Sequence, residues 1–233
     1  MEVVQNNEHD QHMLLRTKLT TGTSPTRNPE FDLNGYLIVK NLWSVEKLYH
    51  PLPDIRGQLS YFDNNVEKFA HLEEETQVKG ALARYWHPQY RRSHDGIRLK
   101  LQNIIGRLLY NTYYYDRYYF AGQELRKHVD RDACEISVSI HVSTNLEGEY
   151  AKWPFKIETP HGQERQGILE PGDGLIYKGC ERPHWREPLQ VPVRRKRDII
   201  LRKPETEWYY HQIFFHYVLQ DGVRAHCAWD RAR

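Results

Sequence analysis

The chain has 233 residues, of which 39% are hydrophobic and 12% aromatic, and its formal net charge is +2. That length suits one domain with a sizeable core, and the aromatic content points to a globular, β-rich protein. A mean hydropathy of −0.81 with no long apolar run excludes a membrane-spanning helix, and the near-neutral charge leaves no footprint for a nucleic-acid backbone.

Residues 1–28 are polar and without periodicity, so a flexible N-terminal segment is expected there. Residues 29–233 read as one domain, with strand and helix support over 29–112 and a core over 113–218. Gly35–Leu42 is the first predicted strand, and Ser44 is placed to cap a short helix reaching Tyr49, stopped by Pro51 and Pro53. Residues 54–80 are mixed, with Val66–Phe69 read as helical. Ser93 is placed to cap a firmer helix over Asp95–Tyr110, in which Ile97, Leu101, Ile104, Ile105 and Leu108 fall on one face; its plain role is to pack on a sheet.

The aromatic run Tyr113–Phe120 reads as a strand. Ala121-Gly122-Gln123 supplies a turn, and the chain then reaches His128-Val129-Asp130. On an extended backbone, residues two apart point to the same side, so both His128 and Asp130 can reach one metal ion. From Cys134 to Ser143 apolar and polar residues alternate, with Ile136, Val138, Ile140 and Val142 on one face and Ser137, Ser139, His141 and Ser143 on the other. The polar face fits either solvent or a polar pocket inside a barrel. Pro171-Gly172-Asp173-Gly174 is a tight turn before the strand Leu175–Tyr177, and His184 opens the next extended segment. The last predicted strand is Trp208–Val218.

Two histidines and one carboxylate, with coordination positions left over, are the facial triad of non-haem Fe(II) oxygenases. A bare HxD carries little weight: with 13 histidines in the chain, about one is expected by chance. The order of strand, glycine turn, HxD, alternating strand, Pro-Gly-Asp turn, strand and distal histidine carries more. In this order the chain resembles the 2-oxoglutarate and Fe(II)-dependent dioxygenases, specifically their prolyl-hydroxylase-like branch, over about residues 113–218.

The resemblance implies a mainly β fold with supporting helices (α+β), built on a double-stranded β-helix or jelly-roll core. It implies iron held by His128, Asp130 and His184, with 2-oxoglutarate and O2 as co-reactants. It also implies a tyrosine, Tyr118 or Tyr119, that hydrogen-bonds 2-oxoglutarate; Tyr119 stands three before Gly122, as in the family pattern. His141 is a candidate pocket residue, whereas His161, His211, His216 and His226 are read as structural.

One departure matters. The family carries an Arg or Lys on the strand after the distal histidine to hold the far carboxylate of 2-oxoglutarate, and Trp208–Val218 contains neither. Arg194 has the usual spacing but stands in the run Val193–Arg197, which reads as a solvated insertion. Arg186 lies two residues after His184 on the same face, about 6.6 Å along a strand, and its planar fork suits a carboxylate. Lys156 is a weaker candidate. The expected substrate is a prolyl peptide or a small molecule, and no nucleic-acid or membrane partner is expected. Cys134, Cys180 and Cys227 are odd in number and widely spaced, and the N-terminus is acidic, so a reducing cytoplasm is expected. The rival readings are a cupin-like zinc hydrolase with the same three ligands and a non-catalytic jelly roll.

Overall fold

The computed structural model describes residues 26–48, 71–193 and 207–229. The predicted helix at Val66–Phe69, Tyr49 with Pro51 and Pro53, Arg194 and the rest of the basic run lie outside these residues.

Helix α1, Pro29–Asn34, is the first element. Asn28 begins it: the side chain accepts from the backbone N–H groups of Glu30 and Phe31, and Nδ2 donates to the Ile104 carbonyl at 3.0 Å. Asn28 is thus tied down, where a flexible segment through residue 28 was expected. Strands β1 (Tyr36–Val39), β2 (His71–Glu74) and β3 (Leu82–Tyr85) follow; the last two were not legible as strands. From Ser44 the chain makes one 3-10 turn, Val45–Lys47.

Helix α2 spans Arg91–Ile105, earlier at both ends than the spacing predicts. Gly106 adopts φ +71° and stops it, and Leu109 and Tyr110 already belong to strand β4, Leu109–Phe120. Ser93 lies inside the helix, buried, and accepts a hydrogen bond from the Trp43 indole instead of capping.

Beyond β4 come β5 (Leu125–His128), β6 (Ile136–Thr144), β7 (Phe155–Glu158), β8 (Glu164–Gly167), β9 (Gly174–Tyr177), β10 (His184–Arg186) and β11 (Tyr209–Leu219). They form two antiparallel sheets. One has seven strands in the order β1-β9-β6-β11-β4-β3-β2, and the other has four in the order β5-β10-β7-β8. Facing sheets with these crossovers make the expected jelly roll.

The alternation in β6 explains the layering. Ile136, Val138, Ile140 and Val142 pack with Ile97, Leu101 and Ile105 of α2 and with Ile213, Phe215 and Tyr217 of β11 on the outer face of the large sheet. Each such side chain contributes about 1.5–3 kcal/mol by its burial. Ser137, Ser139 and His141 point the other way, between the sheets, and are buried. The polar face of β6 is therefore interior rather than wet.

On the outer face of the large sheet, Asp116 is fully buried and accepts from Arg84 Nε at 2.9 Å, Tyr90 Oη at 3.0 Å and His211 Nε2 at 2.7 Å. Burial alone would raise the Asp116 carboxyl, but Arg84 and His211 hold it well below the usual carboxylate range. Asp116→Asn leaves the buried Arg84 charge without its carboxylate. It is expected to cost about 3–5 kcal/mol, read as a lowered urea midpoint; an unchanged midpoint would show that the network carries no stability.

Candidate functional site: a two-histidine, one-carboxylate centre

His128 ends β5 and His184 begins β10, and the two are direct partners in the ladder between these strands. Their rings lie 4.3 Å apart. His128 Nδ1 sits 2.7 Å from the Arg126 carbonyl and His184 Nδ1 sits 2.9 Å from the Arg182 carbonyl. Carbonyls only accept, so each Nδ1 carries a hydrogen and each Nε2 is the ring nitrogen turned toward Asp130. The His184 ring is further held by Phe155, stacked at 5.6 Å, and by Tyr177 at 4.7 Å.

Asp130 completes the set. Its Oδ1 lies 3.4 Å from His128 Nε2 and 3.5 Å from His184 Nε2. Metal–ligand bonds of about 2.0–2.2 Å put adjacent ligand atoms about 3 Å apart, so the three atoms face one position. Burial pushes the Asp130 carboxyl up, but His184 and His128 outweigh it and keep the group ionised. Its Oδ2 accepts from Ser137 Oγ at 3.1 Å, and its backbone N–H donates to the Gly179 carbonyl at 2.9 Å.

Gly179 is a site residue that the sequence reading passed over. A Cβ there would lie 2.4 Å from Asp130 Oδ2, 2.4 Å from the Cys134 carbonyl and 2.7 Å from Ser137 Oγ. Gly179→Ala is therefore expected to displace the carboxylate and weaken Fe(II) binding about 10- to 100-fold, as loss of an outer-sphere contact does. Calorimetric Fe(II) titration under argon measures this, and an unchanged affinity would remove Asp130 from the ligand set.

Arg186 is 1% exposed. Its guanidinium lies 4.5 Å from the Trp153 ring centroid and 5.2 Å from those of Phe155 and Tyr210. One terminal nitrogen donates to the Trp153 carbonyl, whereas Nε and NH2 are buried with no partner. Burial draws its pKa down while the neighbouring Tyr210 hydroxyl favours the charged form; arginine stays charged in proteins, and the donors that no oxygen meets at hydrogen-bond geometry form a fork suited to an anion.

The other predicted residues divide. Tyr119 is buried between the sheets, edge-on to Trp153 at 4.9 Å, and so reaches the Arg186 cluster. Tyr118 points the opposite way: it stacks on His211 at 4.0 Å on the outer face, so it does not join the centre. His141 is buried and stacks on Tyr210 at 4.1 Å; Nδ1 is bonded to the Leu169 carbonyl at 2.7 Å and Nε2 has no partner. Burial pulls His141 down to about 4, so it is a neutral acceptor facing the interior.

Lys156 lies on the outer face of β7, paired with Glu164 and Glu187, away from the interior. His216, read as structural, approaches the centre: its Nδ1 is 2.9 Å from Ser137 Oγ, the hydroxyl that supports Asp130. A cleft of about 350 Å³ is lined by Thr76, Gln77, Val78, Gly122, Gln123 and Arg126 among others, and by none of the three candidate ligands. Gln77 Nε2 reaches His128 Nε2 at 2.8 Å from it.

No family model and no curated protein matches the sequence. Solved structures do match. A 2OG-Fe(II) oxygenase family oxidoreductase from Burkholderia pseudomallei aligns at TM-score 0.53 and 9% identity over 89% of this chain and 97% of its own. The epimerase SnoN, in complex with Fe3+, alpha ketoglutarate and nogalamycin RO, aligns at TM-score 0.52 and 9% identity over 80% of each chain. A prolyl-4-hydroxylase from Pseudomonas putida aligns at TM-score 0.50 and 14% identity over 80% of this chain and 95% of its own. The chain thus has the jelly-roll fold found in 2-oxoglutarate and Fe(II)-dependent oxygenases. Among the described residues no helix is long and apolar enough to cross a membrane.

Proposed function

We propose that the chain is an Fe(II)- and 2-oxoglutarate-dependent oxygenase that hydroxylates a peptidyl-prolyl or small-molecule substrate and releases succinate and CO2. The observation that carries this reading is the pairing, on one short strand, of His184 with Arg186, whose Nε and NH2 are buried and unpartnered. A metal at the three ligand atoms fits two neutral imidazoles and a carboxylate with open positions remaining. A dicarboxylate that chelates that metal by one end has a cation at the right remove for the other.

His128, Asp130 and His184 would hold the iron. Bound there, iron with 2-oxoglutarate supplies the activation of O2 and the oxidative decarboxylation. The protein's share is placement. The Arg126 and Arg182 carbonyls set both histidine tautomers, Ser137 and Gly179 orient Asp130, and Arg186 neutralises the far carboxylate. Trp153, Phe155 and Tyr210 wall that end off from water, which strengthens the ion pair. Tyr119 stands next to this wall as a further hydrogen-bond donor to the cosubstrate.

The cleft lined by Gln77 is of a size for a small ligand or one end of a peptide. The three cysteines are unpaired, which fits a reducing cytoplasm. Succinate release in the presence of Fe(II) and 2-oxoglutarate tests the substrate class: prolyl peptides or an amino-acid panel should stimulate it and single-stranded DNA should not. Stimulation by methylated DNA alone, with the product demethylated, would move the protein to nucleic-acid repair.

A further inference from the structure

A second arginine, buried on β4, joins the two ends of this centre. Arg117 is 1% exposed. Its Nε donates to Glu75 Oε2 at 2.9 Å, NH1 to the Tyr119 hydroxyl at 2.9 Å and NH2 to Gln77 Oε1 at 2.9 Å. Glu75 Oε1 accepts the Gln77 backbone N–H at 3.0 Å, so one carboxylate holds both the cation and the turn that carries Gln77. Because Arg117 can only donate, Gln77 must present its oxygen to it, which leaves Nε2 as the end that lies 2.8 Å from His128 Nε2.

Two consequences follow from donor and acceptor roles. Arg117 donates into the Tyr119 oxygen, so the phenolic hydrogen is directed elsewhere and the adjacent cation makes it a stronger donor. Tyr119 meets Trp153, and Trp153 is the ring beneath Arg186, so this donor lies toward the proposed cosubstrate end. At the other end, the Gln77 amide donates to the same His128 lone pair that a metal would need, so it would have to leave that atom for a metal to be held there. A buried ion pair such as Arg117–Glu75 adds little net stability compared with apolar packing; its effect here is to fix geometry.

We propose that Arg117 is a positioning residue of the centre, which orients the Tyr119 hydroxyl toward the cosubstrate carboxylate. This rests on the 2-oxoglutarate reading above. The test is a double-mutant cycle on 2-oxoglutarate affinity, read anaerobically from the visible band of the Fe(II)·2-oxoglutarate chelate. Tyr119→Phe and Arg117→Met should each raise the dissociation constant about 10-fold, the size of one charge-assisted hydrogen bond. The double variant should be no weaker than Arg117→Met, because both act through one hydroxyl. Multiplied losses would make Arg117 a structural residue and overturn the proposal.

If Arg117→Met fails to fold, Glu75→Gln replaces it in the same cycle with the same expectation. Loss of the band in the wild-type protein would instead remove the 2-oxoglutarate reading itself.

Discussion

Replacing His128, Asp130 or His184 by alanine is expected to abolish both Fe(II) binding and substrate-free turnover of 2-oxoglutarate, with the fold retained. The three ligand atoms converge on one position, with Oδ1 of Asp130 at 3.4 and 3.5 Å from the two imidazole nitrogens. Removing any one leaves two protein ligands on a metal that already has open positions. The large sheet and its packing against α2 do not depend on these side chains, because that core lies on the opposite face. Circular dichroism and calorimetric Fe(II) titration on the same samples separate the two effects. A variant with near-normal turnover would show that its residue is not a ligand.

Arg186→Ala is expected to raise the 2-oxoglutarate requirement about 10- to 100-fold or more, since losing a charge-assisted pair costs roughly 1.5–3 kcal/mol. The enclosed site makes the loss large: Arg186 is 1% exposed, and no water shell can stand in for the cation. Arg186→Lys should recover little, because a single ammonium cannot reproduce two parallel N–H donors. Arg194→Ala should change the requirement little. Saturation curves for 2-oxoglutarate in the three variants measure this, and the opposite ranking would give the carboxylate to Arg194.

Much of the architecture was legible because it rests on local pattern. The alternation through Ile136–His141 set both faces of β6, whereas a bulge beyond it turns Ser143 to His211 on the outer face instead of the predicted polar face; the Pro-Gly-Asp turn placed β9 before His184. That His128 and Asp130 turn to one side was legible because HxD fixes two side chains on one side of an extended backbone. What was not legible depends on partners far away in sequence. Strands β2 and β3 carry no strong apolar period; β3 forms by adding to the edge of β4, and β2 by adding to β3. The end of α2 was missed because helical spacing continues to Leu108, whereas Gly106 and the pairing of Leu109 with Leu219 of β11 decide where it stops.

Tyr118 and Tyr119 could not be told apart by composition, since neighbours on a strand face opposite ways and the register was open. The pairing of Tyr119 with Tyr210 and of Tyr118 with His211 settles which faces inward. Gly179, Gln77 and Arg117 gave no sequence signal at all: each matters through a contact across the fold, with Asp130, His128 and Tyr119 respectively.

Anaerobic titration of the protein with Fe(II) and then 2-oxoglutarate shows whether His128, Asp130 and His184 hold both. The chelate gives a weak visible charge-transfer band; it should saturate at one equivalent of each and be lost in His184→Ala. A protein that binds Fe(II) but develops no band, or that binds no Fe(II), is not a 2-oxoglutarate-dependent oxygenase.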